Sequence, residues 1–171
     1  MVLRLHSPDV DQAAASGVDP SRRLNLLLTY GGWRENAFAD QIPLILNRFG
    51  IRCYRAESGD EASDVIRSER VHIAVIDLSI PMHPTRSQPT GTRAVPAGPR
   101  VLQLLRRLEQ PPPTIVVRPR QVDPAESTRM LADALRDGAF TVLDDPVPIE
   151  LMLQALERVV RRHYRDHWPA A

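Results

Sequence analysis

The sequence predicts an α/β domain, a doubly wound five-stranded parallel sheet with helices on both faces. Five short apolar runs recur along the chain, each followed by a stretch with helical spacing of apolar residues. Two runs, His72–Asp77 (HIAVID) and Thr114–Val117 (TIVV), are apolar throughout rather than alternating, as strands covered on both faces must be. Strand and helix alternate with short connections, the pattern of a sheet built from βαβ units.

Residues 1–22 are polar and alanine-rich, broken by Pro8, Gly17 and Pro20, and read as a flexible lead-in. Leu24–Thr29 (LNLLLT) is the first strand, closed off by Gly31-Gly32. Glu35–Phe49 has helical spacing at Phe38, Ile42, Ile45 and Phe49, with Pro43 predicting a kink or a late start and Gly50 a C-terminal cap. Ile51–Ala56 is the second strand. A helix over Asp60–Arg67 follows, with Ser58 placed to cap it. After His72–Asp77 come a helix over Val101–Leu108, with Leu104, Leu105 and Leu108 on one side, and the strand Thr114–Val117. Ala125–Leu135 is a helix stopped near Gly138, and Phe140–Leu143 is the fifth strand. The helix from Ile149 to about Arg165 turns Met152, Leu156, Val159 and Val160 inward. The expected division is a lead-in over 1–22, a domain over 23–165 and a tail over 166–171. The domain carries an insertion at about 82–97, rich in Pro, Thr, Ser and Arg and without apolar period. So long an irregular stretch in a compact domain is either functional or disordered, and its composition predicts disorder.

Composition narrows the function. All 22 residues counted as Lys+Arg are arginine, so no lysine amine is present for a Schiff base or a Walker loop. A formal net charge of +1 argues against nucleic acid held by bulk charge. The single Cys53 can form neither an internal disulfide nor a zinc cluster, and the five histidines lack ligand spacing, so no metal site is read directly. No secretory leader or membrane-length apolar run is present, and the expectation is a cytoplasmic protein without membrane contact. In a doubly wound sheet the functional crevice lies at the C-terminal strand ends. That directs attention to Thr29–Gly32, Asp77, Arg118 and Asp144-Asp145.

Those residues carry a resemblance. Ser58–Ala62, then His72–Leu78 and Pro81, resemble the second helix and third strand of response-regulator receiver domains, where the strand ends in the phosphoacceptor aspartate. Gly98 with VLQLLRRL resembles the family's third helix, displaced by the insertion, and Pro113–Val117 its fourth strand. Gly138-Ala139 through Asp145-Pro146 and PIELM resemble the fifth strand and the proline-led last helix. The resemblance spans roughly Leu24 to Tyr164. It implies the flavodoxin-like receiver topology with strand order 2-1-3-4-5, no enzymatic activity of its own, and a stand-alone role in two-component phosphorelay signalling. The implied partner is a protein, a histidine kinase or another signalling protein, or a second copy of the chain.

In that family two acidic residues after the first strand join the aspartate in holding magnesium, a hard cation that takes oxygen ligands. A hydroxyl residue ending the fourth strand and a lysine ending the fifth bind the phosphoryl oxygens. Here Thr29, Tyr30, Gly31 and Gly32 occupy the acidic region, Arg118 stands at the hydroxyl position and Asp145 at the lysine position. Only Asp77, the phosphoacceptor candidate, remains. The expectation is a pseudo-receiver with impaired or absent magnesium-dependent phosphorylation, no catalytic residue and no cofactor. Magnesium enters only in an alternative, a phosphorylatable receiver using Asp77 with a non-standard metal site. A nucleotide-binding flavodoxin-like enzyme, with Gly31-Gly32 as phosphate cradle, is a further alternative, although a tight turn explains the glycines better.

Two finer expectations concern the crevice. Arg118 should sit between Asp77 and Asp145 and pair with one of them, or else point to solvent. Asp145-Pro146 matches the family's position for a cis peptide bond. On the last helix, Arg158, Arg161, Arg162 and Arg165 with His163, Tyr164, His167 and Trp168 read as a solvated face, with a partner or nucleic-acid surface as the alternative.

Overall fold

The computed structural model describes residues 23–29, 38–84, 96–120 and 123–164, and the side chains of all of these but 38–40. The lead-in, Tyr30–Gly32, the centre of the insertion and the C-terminal tail lie outside the described residues.

Five strands form one sheet: β1 (Leu24–Thr29), β2 (Ile51–Ala56), β3 (Ile73–Asp77), β4 (Thr114–Arg118) and β5 (Ala139–Asp144). Their order is β2-β1-β3-β4-β5 and every pairing is parallel, as expected. Between them run α1 (Phe38–Arg48), α2 (Gly59–Ser68), α3 (Gly98–Arg106), α4 (Pro124–Arg136) and α5 (Ile149–Tyr164).

Local chemistry sets the helix ends. Ser58 caps α2, its hydroxyl accepting from the N–H of Glu61, while the Glu61 carboxylate accepts from the N–H of Glu57. Asp123 caps α4 through the N–H of Ala125, and Pro124 follows where no donor is needed. Gly50 and Gly138 take positive φ values of 73° and 90° after α1 and α4, a conformation open to glycine at little cost.

Side-chain alternation divides the core between the two faces of the sheet. Leu24, Leu26, Leu28, Val75, Val117 and Leu143 pack with Ile42 and Leu46 of α1 and with Met152, Ala155, Leu156 and Val159 of α5. On the other face Leu27, Ala74 and Ile76 meet α2 and α3, and Val116 meets Leu102 and Ala134. In α1 the inward residue after Ile42 is Leu46 rather than the expected Ile45, which is only half-buried, and the expected Phe49 is half-exposed. The helix ends at Arg48, so Phe49 lies in the turn beyond it. In α3 the buried residues are Val101, Leu102 and Leu105, while Leu104 and Leu108 are only half-buried. The helix spans Gly98–Arg106, starting three residues earlier than expected and ending before Leu108, and the residues it turns to the core are set by packing against the sheet.

The described ends of the insertion are tied together and to the domain. Pro81 and Pro96 form an antiparallel bridge, and the N–H of Ala97 donates to Ile80 C=O at 2.8 Å. The carbonyls of Pro81 and Met82 accept from Gly59 and Asp60, two N–H groups at the start of α2 that have no intrahelical partner. His83 Nδ1 lies 2.7 Å from Asp60 Oδ2.

Gly98 opens α3 directly against the end of β3. A Cβ there would stand 2.5 Å from the Asp77 carbonyl oxygen and overlap the Leu78 backbone. Because backbone cannot give way as a flexible side chain can, Gly98→Ala is expected to destabilise the fold by about 2–3 kcal/mol. Urea unfolding of the variant checks this; an unchanged midpoint would contradict the packing described.

Candidate functional site at the C-terminal ends of the strands

The crevice is organised by Thr29. Its buried hydroxyl donates to Val75 C=O at 3.2 Å and accepts from the N–H of Asp77 at 3.0 Å. Thr29 is in register with Ile76, so these are the backbone groups flanking its partner on β3. One side chain thus fixes the last residues of β3 to β1 where Asp77 emerges.

Asp77 is buried, 3% exposed. Its Oδ1 accepts from both the N–H of Ser79 at 2.8 Å and the Ser79 hydroxyl at 2.7 Å. A carboxylate turned back onto the residue two positions on is a local turn favoured by Asp followed by Ser. It gives this oxygen two donors from its own loop, and hydrogen bonds to charge are roughly twice as strong as neutral ones.

Arg118 belongs to the other side of the sheet. Its Nε donates to the Asp144 carboxylate and its Nη1 to the Ser127 carbonyl in α4. The Arg118 side chain is 14% exposed, against 56% for Asp144. The expected pairing with Asp77 or Asp145 is therefore corrected to Asp144, and strand geometry gives the reason. Arg118 is in register with Asp144, whereas Asp77 is in register with Val117. Successive side chains point to opposite faces, so Arg118 and Asp144 share the α4 face and Asp77 points to the other. Asp145 follows Asp144, its N–H donating to Arg118 C=O at 2.9 Å. The Asp145-Pro146 peptide is cis, the isomer the resemblance implied.

No family model matches this sequence, and no curated protein matches it. Solved structures do. A response regulator receiver domain protein from Methanospirillum hungatei aligns with a TM-score of 0.61 at 18% identity, covering 84% of this chain and 98% of that one. A two-component response regulator from Clostridium difficile gives 0.59 at 15% identity, over 82% and 98%. A response regulator from Burkholderia pseudomallei, holding a phosphorylated aspartic acid, a calcium ion and citrate, gives 0.54 at 20% identity, over 84% and 75%. At such identities the likeness is one of architecture. The chain has the receiver fold.

Within the receiver fold, the crevice holds Thr29, Asp77 and Asp145 at the expected strand ends, with Arg118 withdrawn to the α4 side. Tyr30, Gly31 and Gly32, and with them the question of a phosphate cradle, lie outside the described residues. Among the described residues no group of three or more His, Cys, Asp or Glu side chains could hold a metal ion. Among the described residues no helix is long and apolar enough to cross a membrane.

Sequence reading passed over Ser79, and it placed Asp144 at the crevice without making it the partner of Arg118. The Asp-x-Ser spacing was a usable signal for the first, and counting strand parity from Val116 and Val117 was one for the second. It also passed over the opposite end of the sheet, where a cleft of about 550 Å³ is lined by Arg70, His72, Glu109, Gln110 and Tyr164 among others. There His72 Nδ1 accepts from the N–H of Asn25 at 2.9 Å, and the Tyr164 hydroxyl donates to His72 C=O. Burial, and after it the charge of Arg70, hold the His72 imidazole below its ordinary 6.5. The exposed edge of α5 shows the same direction at His163, again from burial first and then Arg162.

Two predictions follow from these contacts. The unfolded chain binds the histidine proton more readily than the native one, so stability is complete above pH 6.5 and falls as pH drops below that value. Urea midpoints should therefore decline between pH 6.5 and about 5, above the carboxylate range. The decline should shrink in His72→Asn; an unchanged slope would remove His72 as its source. Arg118→Met is expected to cost about 1–2 kcal/mol, because Asp144 is largely solvated and the pair correspondingly screened. A double-mutant cycle with Asp144→Asn should show coupling of about 0.5–1 kcal/mol. The same cycle with Asp77→Asn should show none.

Proposed function

We propose that this protein is an atypical receiver of two-component signal transduction that acts through protein–protein contact, with magnesium-dependent phosphorylation at Asp77 impaired or absent. The observation that carries the reading is the state of Asp77: buried, with one carboxylate oxygen already holding both donors of Ser79. Ordinary phosphotransfer to such an aspartate needs a cation and a positive side chain beside it to meet the phosphoryl oxygens. Asp145 stands at the lysine position and adds negative charge there, and no lysine exists elsewhere to substitute. Losing preorganised electrostatic stabilisation of this kind costs orders of magnitude in rate.

The Arg118–Asp144 contact supports a fixed rather than a switching domain. It joins the end of β4 to β5 and, through Ser127, to α4 by charge held within the chain. A surface of one conformation then serves as a constant docking platform for a signalling protein, which is the mode of action proposed. As an intracellular signalling module it would work in the cytoplasm.

Incubation with acetyl phosphate and magnesium, followed by intact-mass measurement, tests this directly. The expected outcome is no added phosphoryl mass, and no change in thermal midpoint with beryllofluoride and magnesium. A mass increase in the wild type that disappears in Asp77→Asn would overturn the reading in favour of a phosphorylatable receiver with a non-standard metal site.

A further inference from the structure

A second cleft, of about 680 Å³, lies between the start of β5 and the end of α5, lined by Ala139, Phe140, Thr141, Arg158, Arg161, Arg162 and His163. Its walls differ in kind. One is the outer edge of β5, which among the described residues pairs with β4 alone. The other is a row of guanidinium groups at i, i+3 and i+4 on one helix face. We propose that this cleft binds an extended acidic segment of a partner protein, laid along the free edge of β5 with its carboxylates on Arg158 and Arg162. The inference stands apart from the reading of Asp77, and no residue of α4 lines the cleft.

Charge is the first argument. Arg161 is paired with Glu157 at 2.9 Å, but Arg158 and Arg162 form no ion pair among the described residues. Compensation of the helix dipole accounts for the cations in the last turn, Arg161 and Arg162, since that effect fades within one turn. Arg158 lies before that turn and is left without this explanation.

Spacing is the second. Arg158 and Arg162 are separated by four residues, a rise of about 6 Å along a helix. Side chains on one face of an extended peptide repeat at about 6.7 Å, two residues on. A peptide with acidic residues at alternate positions therefore presents carboxylates at nearly the pitch of these two guanidiniums.

The strand edge is the third. The N–H of Asp145 points toward β4, so by alternation the main-chain groups of Asp144 and Val142 point outward and can pair with an added strand. Near the cleft the register shifts: Thr114 faces Ala139 and Ile115 faces Thr141, leaving Phe140 as the extra residue of a bulge. Bulges discourage indiscriminate strand addition, which leaves selection to the arginines.

Nucleic acid fits less well. A base would need an aromatic face to stack on, and the ring of Phe140 already carries His163 edge-on at 5.4 Å and Arg162 over its face at 5.9 Å. A single strand also has no use for the donors and acceptors of a sheet edge.

The test uses the full chain and a fluorescein-labelled ten-residue peptide alternating valine and glutamate, read by anisotropy at moderate salt. Saturable binding is expected. It should weaken roughly tenfold in the Arg158→Gln/Arg162→Gln variant, the scale expected for two exposed ion pairs. A peptide of the same composition with its glutamates clustered, and one with alternate backbone amides methylated, should each bind more weakly than the parent. Circular dichroism melts confirm that the variant is folded, and amide shifts at Phe140–Asp144 locate the peptide. No saturable binding, equal binding by the variant, or equal binding by the methylated peptide would overturn the proposal. Tighter binding of a single-stranded oligonucleotide, lost in the same variant, would also overturn it and assign the cleft to nucleic acid. Because Asp77 takes no part, phosphorylation and peptide binding can fail independently.

Discussion

Strand β3 is buried on both faces along its whole length, and its register with β1 and β4 fixes where each residue at the C-terminal edge of the sheet points. A slip of one residue would exchange the two faces, moving Ala74 and Ile76 into the layer of α1 and α5. Apolar packing above and below therefore holds the register tightly, and polar residues at the strand end inherit it. Asp77 follows the parity of Val75, and Arg118 that of Val116. The separation of these two side chains onto opposite faces is a consequence of core packing, reached before any electrostatic attraction between them can act.

Two polar devices then secure the edge. Thr29 holds β1 to β3 through backbone groups on both sides of Ile76, and Arg118 joins β4 to β5 and α4. Both are internal to the chain and neither requires a ligand. Gly98 contributes by having no side chain, so that α3 can begin against the carbonyl of Asp77. The result is a crevice whose components are largely engaged with one another, in a fold whose solved relatives include a response regulator crystallised with a phosphorylated aspartic acid. The proposed partner contact lies elsewhere, at the arginine-lined cleft beside β5.

Much of this was legible in the residues. The unbroken apolar runs of β3 and β4, Ser58 ahead of α2, and Gly50 and Gly138 after their helices each have a local physical cause that a sequence displays. Helix faces were less legible near misplaced ends: Phe49 and Leu108 lie beyond α1 and α3. Pro99 in the first turn of α3 was a local signal for its earlier start, whereas which of the adjacent leucines face inward depends on the sheet they pack against.

By itself the sequence determined the α/β architecture, the five strands in order, and the absence of a lysine beside the strand ends. These follow from periodicity, turn chemistry and composition, which act over a few residues at a time. The tertiary structure decided which carboxylate Arg118 meets, which donors Asp77 keeps, and that three arginines of α5 share a cleft with the edge of β5. Such pairings join residues far apart in the chain, as Arg118 and Asp144 are, and depend on strand register and on which strand lies at the edge. Only the assembled core sets both.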